Sequence, residues 1–88
     1  MDSSWHVYIV RCADHSLYTG IATDVARRVL EHNENDKRAA RYTRARRPVQ
    51  LVYSESVPDR SSALKREHQL RRLGRAQKEI LVAKNQVS

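Results

Sequence analysis

Eighty-eight residues with 40% hydrophobic content support one small domain with a modest core, and exclude a second domain or a deep cofactor cleft. The 17 Lys and Arg outweigh 10 Asp and Glu, and the resulting net charge of +7 points to a polyanionic partner. One cysteine, Cys12, excludes an internal disulfide and a cysteine-rich zinc site, and the apolar run 7–10 is too short for a signal-peptide core or a membrane span, so the expectation is a soluble cytoplasmic protein with no membrane partner.

After a polar lead-in, residues 5–12 and 17–21 are two apolar runs rich in Trp, Tyr, Val and Ile, joined by Ala13-Asp14-His15-Ser16. β-Branched and aromatic residues favour a pleated surface and the short polar connector favours a turn, which predicts a hairpin. It carries Tyr8 on one strand and Tyr18 on the other, beside Gly20, where other groups can approach the backbone. Thr23 or Asp24 then caps a helix over about 24–34, with Val25, Ala26, Val29 and Leu30 as its buried stripe. Asp24, Arg28 and His32 fall four apart and form a second stripe. On spacing alone, Asp24 and Arg28 read as an ordinary surface ion pair and His32 as a polar surface residue.

Residues 36–47 are the most biased segment, with Lys37, Arg38, Arg41, Arg44, Arg46 and Arg47 in twelve positions and Tyr42 among them. A solvated connector is one reading. A nucleic-acid contact is the favoured one, because arginine forks match phosphate oxygens two at a time and a tyrosine can stack on an unpaired base. The pattern says polyanion without separating DNA from RNA.

Pro48 ends this loop, and alternation at Val49, Leu51 and Tyr53 predicts a third strand over 49–55. Asp59 or Ser61 caps a second helix over 60–73, whose apolar face is Ala63, Leu64, Leu70 and Leu73. Glu67 lies in the middle of that face. A carboxylate there stays in water, pairs with a cation such as Arg71, or holds a metal. Gly74 interrupts the pattern, a third helix follows over 75–83, and residues 85–88 are expected to fray. Lys65, Arg66, Arg71, Arg72, Arg75 and Lys78 add a second basic surface. The predicted fold is α/β of the α+β kind, a small, mostly antiparallel three-stranded sheet with three helices in the order β-β-α-β-α-α, as a single domain with its core over about 5–83.

Tyr8 within His6-Val7-Tyr8, then Tyr18-Thr19-Gly20, then Arg28 ten residues after Tyr18, then Ala63-Leu64-Lys65-Arg66-Glu67 on the helix after the third strand, resemble the GIY-YIG nuclease family in order and spacing. The small stand-alone bacterial members are the nearest look-alikes. The first motif has His6 where the family has glycine, and where many of its nucleases carry a late asparagine, positions 76–80 offer Gln77. The resemblance implies phosphodiester hydrolysis on DNA, possible roles in repair or recombination, and one Mg²⁺ or Mn²⁺ held by Glu67. It further implies that Arg28 forks onto the scissile phosphate, that Tyr18 orients or deprotonates the attacking water, and that Tyr8 and His32 support that network. A free phenol titrates about three units above neutral, so full deprotonation needs roughly 4 kcal/mol from its surroundings. The rival reading is a non-catalytic nucleic-acid-binding module; a third is an enzyme whose substrate is selected by a protein partner.

Overall fold

The computed structural model describes residues 4–85. The two apolar runs form β1 (Trp5–Arg11) and β2 (Leu17–Ala22), and the third strand is β3 (Gln50–Val57). All pairing is antiparallel in the order β2-β1-β3, so β1 is the central strand. The helices are α1 (Val25–Glu34), a single turn α2 (Arg41–Arg44), α3 (Arg60–Arg71) and α4 (Arg75–Asn85). Apart from α2, this is the expected order of elements. Asn85, the first residue expected to fray, is instead the last of α4, while the lead-in before residue 4 and residues 86–88 lie outside the described residues.

Asp14 shapes the hairpin turn, since its carboxylate accepts from the backbone and hydroxyl of Ser16 while His15 takes a left-handed φ of 69°. The two faces of β1 then feed two cores. Val7 and Ile9 pack with Val52, Tyr53, Ala63, Leu70 and Val82 beneath α3 and α4. Tyr8, Val10 and Cys12 pack with Ala22 and Val49, with Val25 and Val29 of α1 and Tyr18 against them. Cys12 is thus a small buried residue, as its place at the strand end suggests.

The structure corrects two packing expectations. On α1 the inward face is Val25, Val29 and His32, while Ala26 and Leu30 face out and Leu30 is 55% exposed. In β3 the alternation breaks at a bulge opposite Ile9 and Val10, where Ile9 pairs with Tyr53 and Val10 with Leu51. The extra residue lets Val52 and Tyr53 both enter the core and leaves Leu51 exposed. Asn33 of α1 secures the start of β3 by a reciprocal bond, accepting from the Val49 N–H at 2.7 Å and donating to its carbonyl at 2.9 Å.

Candidate active site

Strand register places Tyr8 opposite Gly20. A Cβ at position 20 would lie 2.5 Å from the Tyr8 hydroxyl oxygen and 2.6 Å from the ring carbon bearing it, so the phenol crosses the strand where only glycine leaves room. Tyr8 is 1% exposed, and its hydroxyl lies 2.7 Å from Nε2 of His32. His32 is itself fully buried. Its Nδ1 sits 2.8 Å from the Thr43 hydroxyl, which donates to the Ala40 carbonyl at 3.0 Å. With the Thr43 proton committed to Ala40, we assign the imidazole proton to Nδ1, so that Nε2 accepts from Tyr8. The Ala40 N–H is 3.4 Å from Nδ1, beyond the usual range for such a bond, and does not overturn the assignment.

Burial dominates the electrostatics. It pushes the Tyr8 phenol up to about 12, against the Arg28 charge, with Tyr18 and Glu67 adding to the rise and a hydrogen bond from Arg28 opposing it. Burial and the Arg28 charge press His32 down to about 4, partly offset by Glu31, with Arg47 lowering it further. The pair is therefore neutral at pH 7. The charges of Arg28 on α1, Tyr18 on β2 and Glu67 on α3 all reach the Tyr8 hydroxyl on β1.

Tyr18 is half-buried, its ring edge-on to His32 at 5.6 Å and stacked on Tyr42 at 5.8 Å. The Arg71 guanidinium lies 6.0 Å from the Tyr18 ring centre. Arg28 is half-buried and donates to Glu31 at 3.1 Å and to the Arg38 carbonyl at 2.7 Å. The surface pair expected between Asp24 and Arg28 gives way to these contacts, and Asp24 instead caps α1 by accepting from the Arg27 N–H.

Glu67 stands between the buried Ala63 and Leu70 on α3, with its side chain 18% exposed and paired with Arg71 at 3.3 Å. Among the described residues no group of three or more His, Cys, Asp or Glu could enclose a metal. One half-buried carboxylate is nevertheless a hard oxygen donor, which suits a Mg²⁺ that keeps most of its waters. The donor fits; Arg71 is the cation's competitor for Glu67.

The basic segment divides in two. Arg44 donates to the Asp36 carbonyl, and Arg46 pairs with Asp14 at 3.0 Å while covering the Tyr42 ring at 3.8 Å. Arg47 donates to the His32 carbonyl at 2.6 Å and pairs with Asp36 at 2.7 Å. Arg38 approaches Glu31 at 3.9 Å. Lys37 and Arg41 face solvent. Asp36 within the segment, Asp14 of the hairpin turn and Glu31 of α1 thus pair with Arg47, Arg46 and Arg38. Sequence reasoning missed Thr43, the fully buried hydroxyl behind His32. A helix of one turn shows no period by which to find it.

The GIY-YIG catalytic domain matches this chain over residues 4–79. A UPF0213 protein of Desulfotalea psychrophila is 57% identical over 79 residues, covering 90% of this chain and 71% of that one. One from Natronomonas pharaonis is 48% identical over 83 residues, covering 94% and 95%. Among solved structures, the UPF0213 protein BH0048 of Bacillus halodurans superposes with a TM-score of 0.57 at 40% identity, covering 91% of this chain and 83% of its own. The protein EF2693 of E. faecalis does so with 0.61 at 38%, covering 96% and 90%. With the match spanning both strands of the hairpin, α1, β3 and α3, the chain belongs to the GIY-YIG family, among its small UPF0213 proteins.

Proposed function

We propose that this chain is a DNA endonuclease that hydrolyses phosphodiester bonds with one divalent cation, acting on DNA structures of repair and recombination in the cytoplasm. Membership of a nuclease domain family supports endonuclease-like chemistry and a nucleic-acid substrate. The observation that carries the reading to this chain is the buried Tyr8 hydroxyl, 2.7 Å from His32 and within reach of the charges of Arg28, Tyr18 and Glu67. A binding module needs no half-buried carboxylate whose charge reaches a buried phenol.

The roles are those the family resemblance implies, and the geometry supports them. Arg28 turns from Glu31 and the Arg38 carbonyl to fork onto the scissile phosphate, matching charge as it grows on the equatorial oxygens. Glu67, now paired with Arg71, would hold Mg²⁺ or Mn²⁺, and the cation would supply Lewis-acid charge stabilisation. Tyr18, half-buried at the edge of the ring cluster, positions the attacking water. Tyr8 stays protonated and donates to His32, holding its oxygen lone pairs toward the site. The outward-facing Lys37 and Arg41 contact backbone phosphates.

The test is incubation of Glu67→Ala and the parent with branched and linear DNA, and with RNA of the same sequence, in Mg²⁺ and in EDTA. The parent cuts in Mg²⁺ and not in EDTA. The variant loses cutting yet keeps its affinity for uncut DNA and its fold, since the one ion pair removed, to the exposed Arg71, is worth little. Wild-type cutting by the variant would make Glu67 a surface residue, and a parent that binds without cutting would make the chain a binding module.

A further inference from the structure

A concavity of about 300 Å³ opens beside Arg28, walled by Trp5 and Ile21 of the sheet and by Thr23, Arg27, Glu31 and Arg38. Its floor has an unusual charge balance. Arg27, Arg28 and Arg38 all converge on Glu31, at 3.5, 3.1 and 3.9 Å, and the Glu31 side chain is only 17% exposed. One carboxylate thus gathers three guanidinium groups. The surplus charge suits an anion, and the side chains of Arg27 and Arg38 are free enough to turn to it, at 68% and 65% exposure. Asp24, the other acid in the wall, is committed to capping α1.

Trp5 packs partly against the core, with the Arg60 guanidinium 5.9 Å from its ring centre, and the part of it that lines the concavity beside surplus arginines has a specific chemical match. We propose that this concavity is a subsite for one unpaired nucleotide adjacent to the scissile phosphate, with the base against Trp5 and its phosphate among Arg27, Arg28 and Arg38. This rests on the placement of the scissile phosphate at Arg28. The volume lies at the low end for ligand pockets and suits one nucleotide. Bases inside a duplex are stacked on one another and cannot reach Trp5, whereas a nucleotide at a single-stranded end, flap or branch can. Recognition by stacking and by phosphate is tolerant of sequence, because every base has a π-face. The subsite therefore selects structure: it favours substrates with an unpaired nucleotide at the cut.

Trp5 is the only tryptophan, so its emission reports on this wall alone. In EDTA, where no cutting occurs, the intact protein is titrated with unlabelled single-stranded oligonucleotide, with a duplex bearing a single-stranded flap, and with blunt duplex, while anisotropy of labelled copies sets saturation. Trp5 emission is expected to be quenched by the first two and unchanged by blunt duplex. Arg27→Gln and Arg38→Gln, both at exposed side chains, are expected to weaken single-strand binding several-fold more than duplex binding. Trp5→Leu is expected to lose about 5- to 100-fold in single-strand affinity, the usual worth of one stacked base. Unchanged emission at saturating single strand, or equal quenching by blunt duplex, overturns the subsite, and the arginine variants decide the matter if Trp5→Leu fails to fold. Quenching without any cutting in Mg²⁺ keeps the subsite and removes the nuclease reading; cutting without quenching does the reverse.

Discussion

Burial drives the two partners of the Tyr8–His32 contact apart, the phenol up to about 12 and the imidazole down to about 4. A proton does not rest on the imidazole across so wide a gap, so the resting pair orients rather than ionises. Acid stability follows from the same fact. The folded His32 binds its proton less readily than the unfolded chain, whose imidazole titrates near 6.5, so its contribution is complete above that pH and is lost as pH falls toward 4. The expected loss over that window is roughly 3 kcal/mol, seen as a falling denaturation midpoint, and His32→Gln flattens it. Asp14 and Asp59, held low mainly by hydrogen bonds from Ser16 and Ser62, and Asp36, held low by Arg47, act below this window, while Glu79, held low by Arg11, begins to act at its acid end. Tyr18 makes the sharpest single-atom test. Its ring packs between His32 and Tyr42, which Tyr18→Phe preserves. Single-turnover cleavage is expected to fall by about 10²- to 10⁴-fold while the thermal midpoint and the affinity for uncut DNA hold. An unaltered rate with a lower midpoint would take Tyr18 out of the chemistry.

The basic segment between α1 and β3 combines contact and construction, and neighbouring arginines in it are expected to behave differently. Arg41 faces solvent, so Arg41→Gln should reduce the slope of log affinity against log salt on duplex DNA by about 0.9 with no change in melting. Arg47 is built into the fold through the His32 carbonyl and Asp36. Arg47→Gln should leave that slope alone and destabilise by about 1–3 kcal/mol, as a part-buried carbonyl loses its donor. Salt titration and melting of both variants check the division. Composition showed the charge of this stretch but not its partners, because Asp14 lies 32 residues from Arg46 in the chain and meets it only through the folded hairpin. Elements with a local signature were legible: the alternating hairpin, the Asp24 and Asp59 caps, and the helix placing Glu67 between Ala63 and Leu70. What stayed hidden depends on tertiary contact. His32 reads as a surface residue until Thr43 and Tyr8 close around it, Leu30 reads as core until α1 turns its face, and the β3 bulge erases the alternation that identified the strand.

At the scale of the molecule, three elements are fastened to the hairpin by charged side chains. Arg11 of β1 forks onto Glu79 of α4 at 2.8 and 2.7 Å, Arg71 of α3 reaches the Thr19 carbonyl of β2 at 3.3 Å, and Arg46 holds the segment after α2 to the β1–β2 turn. No helix among the described residues is long and apolar enough to cross a membrane. Four consecutive residues of β1, Val7–Val10, are buried, and both strand neighbours bond to that stretch. Tyr8 sits within it. Amide exchange at Tyr8 is therefore expected to require global unfolding, at the free energy measured by denaturant, whereas amides of the segment around Lys37 and Arg41 exchange through smaller openings. Faster exchange at Tyr8 than at Leu70 would contradict this.

The position of Tyr8 on the middle strand also bears on how the protein would fail under heat. A site carried on peripheral loops can melt first and leave an inert but folded body. Here the buried Tyr8 hydroxyl, proposed to support the site through His32, is anchored in the last part of the molecule to open, so inactivation and unfolding should trace a single curve, and a preparation that retains its sheet retains that anchor.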